Sequence, residues 1–115
     1  MHAFSGFADM LATEPNAWIH GIATCMVLFL AWWLQIDRQS FAFVLIAVVT
    51  VWVAEAFNTV LEIMVDMVTT GKYSLAAKRA KDIAAAGVLI ASLGAVLIGI
   101  AVFGLPLYDK LRSLF

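Results

Sequence analysis

Ala54-Glu55-Ala56-Phe57-Asn58-Thr59-Val60-Leu61-Glu62-Ile63-Met64-Val65-Asp66 lies inside an apolar run that begins at Phe41 and would otherwise read as a membrane span. Glu55, Asn58, Glu62 and Asp66 are separated by 3, 4 and 4 residues. At about 100° per residue they fall within roughly 80° of one another on a helix, with Thr59 beside them. Three carboxylates and an amide share one stripe, and the other faces are apolar. A charged side chain at the bilayer centre costs about 2.5–3.5 kcal/mol on the insertion scale. Such groups persist where they face a protein interior, a partner subunit or a bound cation. The plainer alternative is a polar seam that only holds helices together.

Composition sets the class. Of 115 residues, 64% are hydrophobic and only 13% are charged, more apolar side chain than so small a soluble domain can bury. The expected fold is therefore all-α and integral to a membrane, where only helices or closed barrels satisfy their backbone. A net charge of −1 and the lack of a basic, aromatic-interleaved patch give no reason to expect a nucleic acid partner. Cys25, alone in an apolar segment, reads as a buried small hydrophobe and supports neither a disulfide nor a thiolate metal site. No Lys or Arg precedes the first apolar segment, so no secretory signal is expected.

Working outward, residues 1–12 are short and amphipathic, with Phe4, Phe7, Ala8 and Leu11 at helical spacing. They read either as a helix lying in the membrane interface or as a frayed terminus. Thr13-Glu14-Pro15-Asn16 resembles a helix start, with Thr13 as cap and Glu14 favoured by the helix dipole. His20 reads as an ordinary hydrogen-bonded histidine. Spans are expected at about 17–35, 41–68 and 82–107, within one domain. Trp32 and Trp33 serve as interfacial aromatics, Gln35 to Ser40 as a polar turn, and Gly104-Leu105-Pro106 as the stop of the third span. Small residues such as Ala84, Gly87, Ala91, Gly94 and Gly99 suit close packing of that third helix. Thr69 to Ser74 breaks the second span, and Gly71 or Ser74 can cap the third. Lys72, Lys78, Arg79 and Lys81 make this connection the most basic, which places it in the cytoplasm, with Glu62 and Asp66 close to that surface and Glu55 deeper.

Acids that share a stripe repel unless a cation or proton lies among them. Carboxylates suit Mg²⁺, which takes one or two of them and completes its shell with water and substrate phosphate. Lys81-Asp82, at the edge of the third span, would bring a cation to the acids of the second. Metal, lysine and a carboxylate base together make a phosphoryl-transfer site. No GxxxxGK[ST] or kinase-type glycine loop occurs, so no soluble kinase fold is present. A proton-coupled transporter would also need a membrane carboxylate, but would want four spans and one dominant acid.

The signature E-x-x-N-T-x-x-E-x-x-x-D formed by Glu55, Asn58, Thr59, Glu62 and Asp66, followed by Ala80-Lys81-Asp82 and an alanine-rich helix, resembles the prokaryotic diacylglycerol kinase family, which includes undecaprenol kinases. Glu14-Pro15-Asn16-Ala17-Trp18-Ile19-His20 is similar to that family's E-x-N-x-x-I-H segment. The resemblance covers nearly the whole chain. It implies a homotrimer of three-span chains with N-terminal amphipathic surface helices, in the bacterial inner (cytoplasmic) membrane, with shared sites on the cytoplasmic side.

The activity so implied is ATP-dependent phosphorylation of a membrane lipid alcohol, either diacylglycerol or undecaprenol. Glu55 matches the catalytic base, and Glu14 and Glu62 match the carboxylates that hold Mg²⁺ on ATP. Lys81 matches the lysine at the nucleotide phosphates and Asp82 its supporting acid, while Asn58 and Asp66 shape the site. Tyr73 belongs to the loop that touches the nucleotide. That loop departs from the family: Lys72-Tyr73-Ser74 replaces the usual Glu-Tyr-His, with one extra residue. Trp18 replaces a frequent arginine, and the family's upstream basic residues have no counterpart in the chain. These departures motivate one further alternative, a catalytically inactive relative kept as an assembly factor.

Overall fold

The computed structural model describes residues 2–115, which form four helices: α1 (His2–Thr13), α2 (Pro15–Leu34), α3 (Arg38–Thr69) and α4 (Leu75–Leu114). Met1, part of the expected surface helix, lies outside the described residues. Helices α2, α3 and α4 have 20, 32 and 40 residues and are each long and apolar enough to cross a membrane. At about 1.5 Å per residue, the shortest just matches a hydrocarbon core of about 30 Å, and the other two project beyond it.

Each boundary has a local cause. Helix α1 is continuous from His2, so the terminus is helical rather than frayed. Thr13 does not cap α2 as expected. It ends α1, where its hydroxyl donates to the carbonyl of Asp9 at 2.9 Å. Glu14 takes the N-cap position instead, with Pro15 in the first turn, and its side chain makes no capping hydrogen bond. The turn is further tied by Trp18 Nε1, which donates to the Leu11 carbonyl at 2.6 Å.

Helix α2 ends on Gln35 in the left-handed conformation, and Asp37 caps α3 by accepting from the Ser40 N–H at 2.9 Å. That bond holds the Asp37 carboxyl below its ordinary pKa. It also draws Arg38 to Ser40 into the helix, so the expected polar turn shrinks to three residues, 35–37. Between Arg38 and Thr69 there is neither Gly nor Pro to interrupt the backbone. Thr70 and Gly71 then adopt positive φ (51° and 78°) and stop α3; the glycine meets this at no steric cost.

Of two expectations about the last helix, one is met and one needs correction. It begins at Leu75 with Ser74 as its cap, as expected, and Ala76 to Ala80 are strong helix formers, so the helix starts ahead of the span expected at about 82–107. Ser74→Ala should weaken that first turn by about 1 kcal/mol, seen as faster amide exchange at Ala77, whose N–H the Ser74 hydroxyl accepts at 3.0 Å. The helix does not stop at Gly104-Leu105-Pro106; it runs through Pro106 to Leu114. A single proline removes one backbone donor, which transmembrane helices tolerate, and Lys110 and Arg112 suit the C-terminal dipole.

Helix α3 packs mainly on α4, with α2 against both and α1 against α2. The apolar core, around Ala31, Val44 and Phe103, lies at the end where α2 and α4 finish and α3 starts. There Lys110 sits over the Trp33 ring at 5.4 Å. Cys25, expected to be buried, is exposed on α2. The opposite half of α3 buries polar groups instead: Glu55, Asn58 and Thr59.

Candidate active site

Glu55 is fully buried, and neither carboxylate oxygen has a hydrogen-bond partner. Its one ionic neighbour among the described residues is His20 on α2, whose Nε2 lies 3.4 Å from Oε2. One turn further along α3, Asn58 Nδ2 donates to Glu62 Oε1 at 3.4 Å, and Asn58 Oδ1 is buried without a partner. Glu14, at the mouth of α2, completes the cluster. Partial desolvation, then the charge of Glu62, then that of Glu55, raise its pKa above the ordinary glutamate value. The carboxylate left free of capping thus feels the charge of two acids contributed by another helix.

These donors fit a magnesium ion. They are all oxygens, they repel one another, and the cluster keeps unpaired acceptors. No group of three His, Cys, Asp or Glu side chains among the described residues could hold a metal by itself.

Toward the α3–α4 turn the character changes. Lys81 Nζ pairs with Asp66 Oδ1 at 2.7 Å, and Lys78 Nζ with Asp82 Oδ2 at 2.6 Å. Asp82, expected beside Lys81, is therefore engaged by Lys78. These side chains, with Lys72, Tyr73 and Ser74, line an open groove of about 370 Å³. All four paired groups are well exposed, so their stabilising value is small, about 0–1 kcal/mol. Three lysines and two aspartates thus face one groove.

An apolar groove of about 930 Å³ lies between α1, α2 and α3, walled by Phe7, Trp18, Cys25, Trp52 and Ala56 among others. Trp52 and Ala56 flank Glu55 on α3. The exposure of the polar groups is graded along α3: Glu55 is buried, Glu62 half-buried and Asp66 exposed.

The sequence pattern of the family described as prokaryotic diacylglycerol kinase matches residues 1–103. The chain belongs to that family. Among relatives of the prokaryotic diacylglycerol kinase family, it is 34% identical over 98 residues to a diacylglycerol kinase of Synechocystis sp., a match that covers 85% of this chain and 56% of that protein. It is 29% identical over 103 residues to an undecaprenol kinase of Bacillus subtilis, covering 90% and 83% of the two chains. With a diacylglycerol kinase of Escherichia coli it shares 32% identity over 88 residues, covering 70% and 71%. The chain thus spans little more than half the length of the Synechocystis relative. Prokaryotic diacylglycerol kinases and their undecaprenol-named relatives are lipid kinases, and the three apolar helices place this member among bacterial membrane proteins.

Helical spacing predicted Glu55, Asn58, Glu62 and Asp66 on one stripe, and the structure keeps them on one helix while dividing them between two environments. Glu14 lies within electrostatic range of Glu62 and Glu55. Lys81 joins Asp66, and Tyr73 stands on the wall of the basic groove. Two residues of the site, His20 and Lys78, are not evident from the spacing of the acids. An ionisable residue within an apolar span is the available signal for His20; Lys78 in the sequence marks only orientation.

Proposed function

We propose that the chain is an ATP-dependent kinase of a membrane lipid alcohol, with diacylglycerol and undecaprenol as the substrate types its relatives' names indicate. One observation carries this reading. A buried carboxylate with both oxygens free, Glu55, sits on α3 between Trp52 and Ala56, which line an apolar groove, with Glu62 and then Asp66 of the lysine-lined groove further along the same helix. A lipid hydroxyl delivered from the apolar side and a nucleotide phosphate from the other would meet at that carboxylate.

Glu55 is the general base. It takes the proton of the lipid hydroxyl as that oxygen bonds to the γ-phosphorus, while the β–γ bridging bond breaks and ADP leaves. Glu14 and Glu62 would hold Mg²⁺, which when bound neutralises charge on the transferring phosphoryl group. Lys81, with Lys78 and Lys72 in the same groove, attracts the phosphates. Tyr73 and Asp82 border the nucleotide, Asn58 orients Glu62, and Asp66 holds Lys81. Lys81→Ala should raise KM for ATP about ten- to a hundredfold, as expected for a charge-assisted contact, with thermal stability nearly unchanged. An unaltered KM would remove Lys81 from the nucleotide site.

The same reading includes self-association, with sites completed between copies at the cytoplasmic face. Its support is the extent of apolar side chain the single chain leaves exposed, and the open space beside Gly87 and Gly94 on α4. Cross-linking in membranes would test it; a monomer under active conditions would refute it.

The deciding assay offers Mg·ATP labelled at the γ-phosphate to diacylglycerol and undecaprenol side by side in mixed micelles. Label in either lipid supports the reading and identifies the preferred alcohol. No transfer to either, from protein that also fails to bind Mg·ATP, overturns it.

A further inference from the structure

His20 is a half-buried titratable side chain that the phosphoryl-transfer scheme above leaves without a task. From its position we infer that His20 is a positioning residue, which orients the Glu55 carboxylate through Nε2. The inference rests on the proposed role of Glu55 as base.

The geometry begins with the register of α2 against α3. Trp52 Nε1 donates to Thr24 Oγ1 across the two helices at 2.9 Å, and Thr24 Oγ1 donates to the carbonyl of His20, four residues back, at 2.7 Å. The helices run antiparallel. Advancing one turn along α3 from Trp52 reaches Glu55, while going back one turn along α2 from Thr24 reaches His20. The Trp52–Thr24 bond therefore sets the pairing that brings His20 opposite Glu55. The Trp52 ring also meets the imidazole in an edge-on contact, with centroids 6.2 Å apart at 62°, and rests on Phe7 of α1 at 5.5 Å. One aromatic side chain thus fixes both the height and the tilt of the histidine ring.

A fully buried carboxylate with no donor is a rare arrangement, because buried polar atoms almost always find a partner. At 3.4 Å, His20 Nε2 is within ionic reach of Oε2 but a few tenths of an ångström longer than a formed hydrogen bond. Catalytic hydrogen bonds are often long before substrate binds and shorten in the reactive complex. Donation from Nε2 to Oε2 occupies one oxygen and leaves Oε1 free to accept the substrate proton. The base is then held in one rotamer rather than several.

The test compares His20→Phe, which keeps a ring but no donor, with His20→Gln, whose Nε2 can reach the same carboxylate. His20→Phe should lower kcat about ten- to a hundredfold, with KM for ATP and for lipid little changed, and His20→Gln should recover much of the loss. A rise in lipid KM at constant kcat would overturn the inference, since His20 would then act on the substrate. So would equal activity of the Phe and Gln variants. An independent reading comes from ¹⁵N-histidine NMR of the protein in micelles. Glu55→Gln should shift the ring nitrogens of His20 and leave those of His2 in place; an unshifted His20 would overturn the contact. If Glu55→Gln turned over normally yet shifted the His20 signals, the base assignment would fail while the contact stood.

Discussion

Replacing Glu55 by Gln will abolish most lipid phosphorylation, by about 10²–10⁴-fold in kcat, the usual contribution of a positioned general base. The substitution is nearly isosteric and removes a carboxylate that is fully buried with both oxygens unpartnered. The amide keeps the shape of the side chain and can still meet His20, so the variant should fold with a melting temperature close to the wild-type value. Mg·ATP binding should persist, because the basic groove around Lys81 is built from other residues. Unchanged turnover would remove Glu55 as base. Lost turnover together with lost nucleotide binding would instead point to a collapsed site.

Removing either proposed metal ligand should change a different quantity. Glu62→Gln and Glu14→Gln should raise the Mg²⁺ concentration for half-maximal activity about ten- to a hundredfold, the worth of a charge-assisted contact of about 1.5–3 kcal/mol. High Mg²⁺ should partly rescue them, as it should not rescue Glu55→Gln. A pH dependence arises from Glu14, whose pKa is raised by desolvation and by the charges of Glu62 and Glu55. An acid with a raised folded-state pKa holds its proton to higher pH, and a bound cation must displace that proton. The wild-type Mg²⁺ requirement should therefore fall as pH rises from the ordinary glutamate range through the raised value. In Glu14→Gln this slope should be lost. An identical Mg²⁺ titration in all three proteins would sink the ligand assignment.

Much of this was legible in one dimension because membrane chemistry leaves strong marks. Apolar runs of the observed length must be helices to satisfy their backbone, and acids inside one run are too costly to be incidental. Helical periodicity alone put Glu55, Asn58, Glu62 and Asp66 on one stripe. The capping role of Ser74 and the stop at Thr70-Gly71 were equally local. Where local reasoning erred, two plausible signals competed. Thr13 looked like a cap, but the chain turns one residue later, at Glu14. Pro106 looked like a stop, but one missing donor did not outweigh the helix on either side.

The sequence by itself determined the class of the protein, the number of apolar helices and the residues of the acidic stripe, since these depend on hydropathy and on spacing within one helix. Only the tertiary structure decided which acids stand together and which are paired. Glu14 and Glu62 are 48 residues apart in sequence yet sense each other's charge, whereas Asp66, on the same stripe as Glu62, is taken by Lys81. His20 meets Glu55 because a tryptophan–threonine bond fixes how two antiparallel helices slide past each other. Such a register is a relation between helices, and no periodicity within either one contains it.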